Sequence, residues 1–225
     1  LHHVKGIEGF LFRNQSFTLD AKWAKNVCQE ILDRKLDISW FCEARVDETT
    51  KEILALMQKS GCKRIHCGVE TGDPELIRTA KPGVHLEKTL KTFYAAKKFG
   101  IWTHAHMILG LPGENKQTLM NTFKFLTKLD PDSATFNFAT PYPGTKLYNI
   151  AVRNNWITTY NWANYSSYNV VMRTDDLSAN DLHEAANKMK RHLRRQKILK
   201  PLSQPFQASS LRLFISDLLN NVRAF

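Results

Sequence analysis

The chain has 225 residues, of which 43% are hydrophobic and 24% charged, the balance of an ordinary globular domain with one sizeable core and an appendage. No stretch approaches the roughly 18 consecutive apolar residues of a membrane span, and Leu1 opens no signal-peptide pattern, so a cytoplasmic chain cut from a longer protein is expected. The net charge of +11 admits nucleic acid or an anionic ligand. Much of the excess (Lys188, Lys190, Arg191, Arg194, Arg195, Lys197 and Lys200) falls on one predicted helix, the pattern of a solvated face, so nucleic acid is not the expected partner.

Short apolar runs alternate with amphipathic ones along the chain. Residues 7–12 read as a strand. Asp20 can cap a helix whose apolar stripe is Ala24, Val27, Cys28, Ile31 and Leu32, at helical spacing. Residues 38–42 form the next strand, a helix carries Ile53, Leu54, Leu56 and Met57 and stops at Gly61, and residues 63–69 are a third strand. A helix over 86–99 turns Leu90, Phe93 and Tyr94 inward and ends at Gly100, followed by a strand over 101–109. Asn115 can cap a helix bearing Leu119, Phe123, Leu126 and Leu129, and residues 133–139 are the fifth strand. Gly61 and Gly100 both sit between a helix and the next strand, where a left-handed residue ends the helix.

This alternation implies an α/β fold of parallel strands joined by right-handed crossovers, most of a β/α barrel or an open sheet, with a strand expected before residue 1. The pattern changes after residue 150. Residues 154–168 read as an ordered loop, and Ser178 with Asp181 opens a helix that buries Leu182, Ala185, Ala186, Met189 and Leu193. Pro201 and Pro205 mark a break before a final amphipathic helix over 211–222. The expected domains are therefore a barrel portion, 1–150, and a loop-and-helix extension, 151–225.

In parallel β/α folds ligands sit at the C-terminal ends of the strands. That rule selects Arg13, Asn14 and Gln15; Glu43 and Arg45; Gly68 and Glu70; Gly110, Leu111, Pro112, Gly113 and Glu114; and Thr140, Pro141 and Tyr142. Gly110 and Gly113 would let backbone edges approach a flat base, Glu70 could accept from hydroxyls or an ammonium, and Arg45 could grip a carboxylate in a fork. The competing reading makes the glycines tight turns and pairs Arg45 with Glu43, Asp47 or Glu70.

His104 and His106 alternate on the fourth strand and share a face, so they could form a metal pair, with Glu70 or Cys67 as a nearby third group, or two hydrogen-bonded core-rim histidines. His2 and His3, at the beginning of the chain, carry little weight. Cys28, Cys42, Cys62 and Cys67 match neither a zinc nor a disulfide spacing and read as buried free thiols of a reducing compartment. Trp156, Tyr160, Trp162, Tyr165 and Tyr168 either line a pocket or pack the 154–168 loop down.

Three segments together resemble the radical S-adenosylmethionine (SAM) superfamily, in the branch that often carries a cobalamin-binding domain. They are Phe12-Arg13-Asn14-Gln15-Ser16-Phe17-Thr18; Trp40-Phe41-Cys42-Glu43-Ala44-Arg45-Val46-Asp47 leading to Gly61-Cys62-Lys63-Arg64-Ile65-His66-Cys67-Gly68-Val69-Glu70-Thr71-Gly72; and Gly100-Ile101 through Met107-Ile108-Leu109-Gly110-Leu111-Pro112-Gly113-Glu114 to Pro141-Tyr142-Pro143-Gly144-Thr145. Asn14 stands where the family commonly has an acidic residue, and Thr71 where it has Ser.

The resemblance implies a partial six-stranded β/α barrel with strands two to six present. It implies SAM held by Asn14, Gln15, Arg45, Gly68, Glu70, His106, Gly110, Leu111, Pro112, Pro141 and Tyr142. The activity it implies is formation of a 5′-deoxyadenosyl radical, serving methyl transfer with cobalamin or a cyclisation. It also implies a [4Fe–4S] cluster whose cysteine ligands lie before Leu1, a small-molecule substrate, and an electron donor such as flavodoxin or ferredoxin. The alternatives from the residues alone are a metal-dependent hydrolase using His104 and His106, or a non-catalytic module binding RNA or a partner through the basic helix.

Overall fold

A computed structural model describes residues 9–14 and 16–199. Residues 7 and 8 of the first predicted strand, Gln15, His2, His3, Lys200, Pro201, Pro205 and the predicted helix 211–222 lie outside the described residues. The chain divides into a unit of residues 1–190 and another of 191–225.

In chain order the elements are β1 (Gly9–Phe12), α1 (Ala21–Asp33), β2 (Ser39–Ala44), α2 (Lys51–Lys59), β3 (Cys62–Glu70), α3 (Pro74–Ala80), α4 (Leu86–Lys98), β4 (Trp102–Leu109), α5 (Lys116–Leu129), β5 (Ser133–Phe138), α6 (Lys146–Arg153) and α7 (Ala179–Leu199). The predicted strands and helices stand within two residues of their expected ends. Two helices were not predicted, and both carry a local signal. Asp73 accepts from the backbone of Glu75 and Leu76 with Pro74 in the first turn, and Thr145 accepts from Tyr148 N. The expected starts are as drawn: Asp20 accepts from Lys22 N and Trp23 N, Asn115 and Thr118 cap each other, and Ser178 and Asp181 do likewise. Each such cap contributes about 1 kcal/mol.

The five strands are all parallel and lie in the order β1-β2-β3-β4-β5, so each strand sits beside its sequence neighbour. Right-handed crossovers in unbroken order place every connecting helix on the same face. Accordingly α1 packs on α2, α2 on α4, and α4 on α5. Among the described residues the sheet is unclosed, a partial barrel rather than a doubly wound sheet.

The helix-covered face holds the core: Trp40, Ile53, Leu54, Met57, Ile65, Phe93, Met107, Leu109 and Leu126 are all at most 1% exposed. The opposite face carries the alternate residues of each strand, the polar Glu43, His66, His104, His106 and Thr135 among them, together with the apolar Phe41 and Trp102, whose rings lie beside His66 and His104. Tyr94, expected inward, is 63% exposed and lies under Lys98 instead. The basic residues of α7 from Lys188 to Arg195 are exposed, as a solvated face requires. No described helix is long and apolar enough to cross a membrane.

Gly61 shows how tightly the crossovers are set. Its φ is +96°, and a Cβ there would collide with the backbone oxygen of Ile38, just before β2. Gly83 also has a positive φ, +86°, but open space around it. Gly61→Ala is expected to destabilise the protein by about 2–4 kcal/mol in urea unfolding, combining left-handed strain with a clash. Gly83→Ala, with strain alone, should cost about 1–2 kcal/mol.

Candidate functional site

Parallel pairing brings the C-terminal ends of all five strands to one edge of the sheet. Asn14 follows β1, Arg45 follows β2, Glu70 ends β3, Gly110 follows β4, and Pro141 and Tyr142 follow β5. The candidate residues of the sequence thus share one rim. Gln15 lies outside the described residues.

Their states differ. Asn14 Oδ1 is buried with no hydrogen-bond partner among the described residues. The Arg45 guanidinium is already engaged, donating to Asp47 at 2.6 and 3.1 Å with Glu48 at 3.4 Å, so of its possible partners it takes Asp47. Leu111 packs its side chain against a small core of Ala139, Ala151, Trp156 and Met172. Pro112 is half-buried, Pro141 buried, and Tyr142 exposed with its hydroxyl near Tyr165 O.

Glu70 is the strained member. Its φ is +64°, a conformation costing a non-glycine residue about 1–2 kcal/mol, and the pairing of β3 with β4 slips at the same point, between Gly68 and Glu70. Such bulges re-aim a side chain, and strain of this kind collects at functional sites. The carboxylate is met by Lys81, 3.2 Å away, which also donates to Gly68 O at 2.8 Å. A side chain at residue 68 would run into the Glu70 carboxylate, so Gly68 leaves the room this arrangement occupies. Lys81 was not among the sequence candidates. It stands just past α3, and the Asp73-Pro74 start was the signal that could have found it.

Glu114 behaves differently. It is fully buried, one carboxylate oxygen accepts from Gly110 N, and the other has no hydrogen-bond partner among the described residues. Burial pushes its pKa up to about 7 against the opposing backbone bonds of Gly110 and Leu111. It fastens the Gly110 turn from behind, while Leu182 of α7 closes over Gly110.

Below the rim, on the concave face, the register lays side chains in rows. Glu43, His66, His104 and Ser133 align across β2 to β5, and Gly68, His106 and Thr135 form the next row toward the rim. His104 and His106 do share a face, and the third group beside them is His66, not Glu70 or Cys67. Glu70 is held by Lys81, and Cys67 lies buried on the helix side. Burial, with help from His106 and Arg64, pushes the His66 pKa down to about 4.

Cys28, Cys42, Cys62 and Cys67 are free and buried. Burial pushes Cys67 up to about 12. Of the loop aromatics, Trp156 packs inward and donates to Asp175, whereas Tyr160, Trp162 and Tyr168 are 59%, 53% and 70% exposed. Even so, Trp162 packs on Tyr165 with ring centroids 4.5 Å apart, and the Tyr165 hydroxyl donates to Thr159 O, so within the loop these rings hold one another.

The sequence profile of the radical SAM superfamily matches residues 3–126. An uncharacterized methyltransferase of Pyrococcus horikoshii is 32% identical over 188 residues, covering 84% of this chain and 41% of its own. The anaerobic magnesium-protoporphyrin IX monomethyl ester cyclase of Rubrivivax gelatinosus is 23% identical, covering 77% of this chain and 31% of its own. The structure of a radical SAM methyltransferase from Kitasatospora setae, with cobalamin and a [4Fe–4S] cluster bound, superposes with a TM-score of 0.62 at 19% identity, covering 80% of this chain and 38% of its own. The chain spans 41% or less of the length of each of these three.

Glu114 generates a pH prediction. Its folded pKa of about 7 lies above the ordinary 4.5, so the fold favours the protonated acid. That contribution is complete below pH about 4.5 and is lost as pH rises to about 7, a change of roughly 3 kcal/mol. Glu114→Gln, which keeps an acceptor for Gly110 N, should flatten the fall in unfolding free energy between pH 5 and pH 8.

Proposed function

Because the chain belongs to the radical SAM superfamily, we propose that it is the SAM-holding part of an enzyme that cleaves SAM reductively and uses the product on a small-molecule substrate. A reduced [4Fe–4S] cluster in contact with SAM supplies a 5′-deoxyadenosyl radical. The four cysteines of this chain do not fit such a cluster. They are buried, burial opposes the thiolate in Cys28 and Cys67, and none has the spacing of a cluster loop. The cluster ligands in this reading therefore come from outside these four cysteines.

The rim does fit SAM. Glu70 supplies a carboxylate for ribose hydroxyls or the ammonium group, and Asn14 Oδ1 is a buried acceptor with no partner among the described residues. The turn from Gly110 to Gly113 offers backbone edges to adenine, with Pro112, Pro141 and Tyr142 around it, and His106 stands below. Arg45 lies at the head-group end, where Asp47 fixes its fork. The one observation that carries the reading is Glu70. A non-glycine residue is held at positive φ on a strand bulge, at the rim shared by the other candidates.

Methyl transfer assisted by cobalamin is the reaction we favour, since the 32% relative is named a methyltransferase and the superposed methyltransferase carries cobalamin. Cyclisation is the second reading, supported by the Rubrivivax cyclase. Membership of the family weighs against both the hydrolase and the non-catalytic module. A flavodoxin- or ferredoxin-type protein is the proposed electron donor, and free thiols suit a reducing cytoplasm. In this reading residues 1–150 carry the barrel and 151–225 the extension.

The test uses the intact protein with its cluster reconstituted anaerobically. With dithionite it should yield 5′-deoxyadenosine from SAM. Glu70→Ala should weaken SAM binding about 10–100-fold by calorimetry, the worth of a lost hydrogen bond to a charged group. Unchanged SAM affinity in Glu70→Ala would remove the rim assignment.

A further inference from the structure

The row below the rim is a donor set with no part in the SAM reading beyond His106. One ring nitrogen from each of His66, His104 and His106 lies within 4.8 Å of the others. The rings of His66 and His104 stack at 4.6 Å, and those of His104 and His106 also stand 4.6 Å apart. Glu43 reaches over them, its two oxygens 3.8 Å from His66 Nδ1 and 3.7 Å from His106 Nε2. Gly68, the neighbour of His106 in the next row, carries no side chain, and the Glu70–Lys81 pair occupies the space where one would stand.

The imidazoles are oriented from behind by hydroxyls. His106 Nδ1 is 2.8 Å from Thr135 Oγ1, and His104 Nδ1 bonds Ser133 Oγ. Holding Nδ1 in this way fixes the His106 ring and presents its Nε2 toward Glu43, the arrangement found behind metal-ligating histidines, whereas His104 Nε2 stands 3.3 Å from Thr135 Oγ1, a contact that gives way when that nitrogen takes another partner. His66 Nε2 is buried and has no hydrogen-bond partner among the described residues. Neighbouring cations are committed elsewhere: Arg64 lies 3.9 Å over the Trp102 ring, and Lys81 is bound to Gly68 O and Glu70.

We propose that His66, His104 and His106, with Glu43 as the carboxylate, bind one divalent transition-metal ion of the zinc type on the concave face. Three imidazoles and a carboxylate select such an ion over magnesium or calcium, which take oxygen ligands. Bonds of about 2.0–2.1 Å put tetrahedral donors about 3.3 Å apart, so the side chains close modestly around the ion. An ion there would lie on the same face of the sheet, one row from the rim, and anchor an oxygen or nitrogen of the substrate beneath SAM. Ion binding itself does not depend on SAM, since the rim residues Glu70 and Gly110 are not ligands.

The probe is cobalt(II), added anaerobically to the intact, chelator-stripped protein. The readout is the visible spectrum of the wild type minus that of His66→Asn. The expected difference is one saturating site per chain with ligand-field bands and no thiolate charge-transfer band. Thr135→Val, which removes only the orienting hydroxyl, should weaken that site about 10–100-fold. SAM affinity is measured alongside and should be unchanged in His66→Asn, which separates this site from the rim. The proposal is overturned if the wild type shows no nitrogen–oxygen site, or if cobalt(II) binds His66→Asn as tightly as the wild type. Should His66→Asn fail to fold by circular dichroism, the wild-type spectrum and the Thr135→Val titration decide in the same way.

Discussion

The hydrogen bonding of five parallel strands in consecutive order is the constraint from which the site is built. It lines up the strand ends at one edge and sets residues of equal height in rows across the open face. Because each crossover returns to the next strand without a reversal, the helices are confined to one side, and that side takes the apolar residues. The other side is left free for the polar row, with Phe41 and Trp102 packed beside its histidines. Were one strand out of sequence, helices would fall on both faces and the histidine row would be buried beneath one of them.

Three glutamates show how position rather than residue type sets chemical character. Glu43 is half-exposed beside imidazoles on the concave face, free to act as a ligand. Glu70 is held at the rim by backbone strain and Lys81, so its carboxylate is aimed before any ligand arrives. Glu114 is sealed under the Gly110 turn, where burial makes it a weak acid and its role is to brace backbone. The strain at Glu70 and the orphaned oxygen of Glu114 both cost stability, and both lie at the rim. The stacked apolar layer between sheet and helices offsets them.

The rim and the histidine row stand at different heights on the same face. The rim presents backbone edges and a fixed carboxylate, the groups on which the proposed SAM reading draws. The row beneath presents three imidazoles and a carboxylate, with His104 and His106 bonded to hydroxyls. Gly68 links the two levels. It gives the Glu70–Lys81 pair its space above and stands level with His106 across the sheet.

The sequence by itself determined what depends on neighbours a few residues apart. Helical stripes, caps at Asp20, Asn115 and Ser178, and strand alternation located most elements, and the strand-end rule picked out Asn14, Arg45, Glu70, Gly110 and Tyr142 before any coordinates. The short helices behind Asp73 and Thr145 carried caps but too few apolar repeats to stand out. Only the tertiary structure decided what meets across strands. His66 lies 38 residues before His104, and nothing local says that their strands pair at that height; that follows from crossover length and register. The same holds for Lys81 reaching Glu70 past a strand bulge, and for Arg45 choosing Asp47 over Glu43 or Glu70. The loop aromatics point the same way: residue type could not tell that Trp156 has a core to enter while Tyr160, Trp162 and Tyr168 stay in solvent.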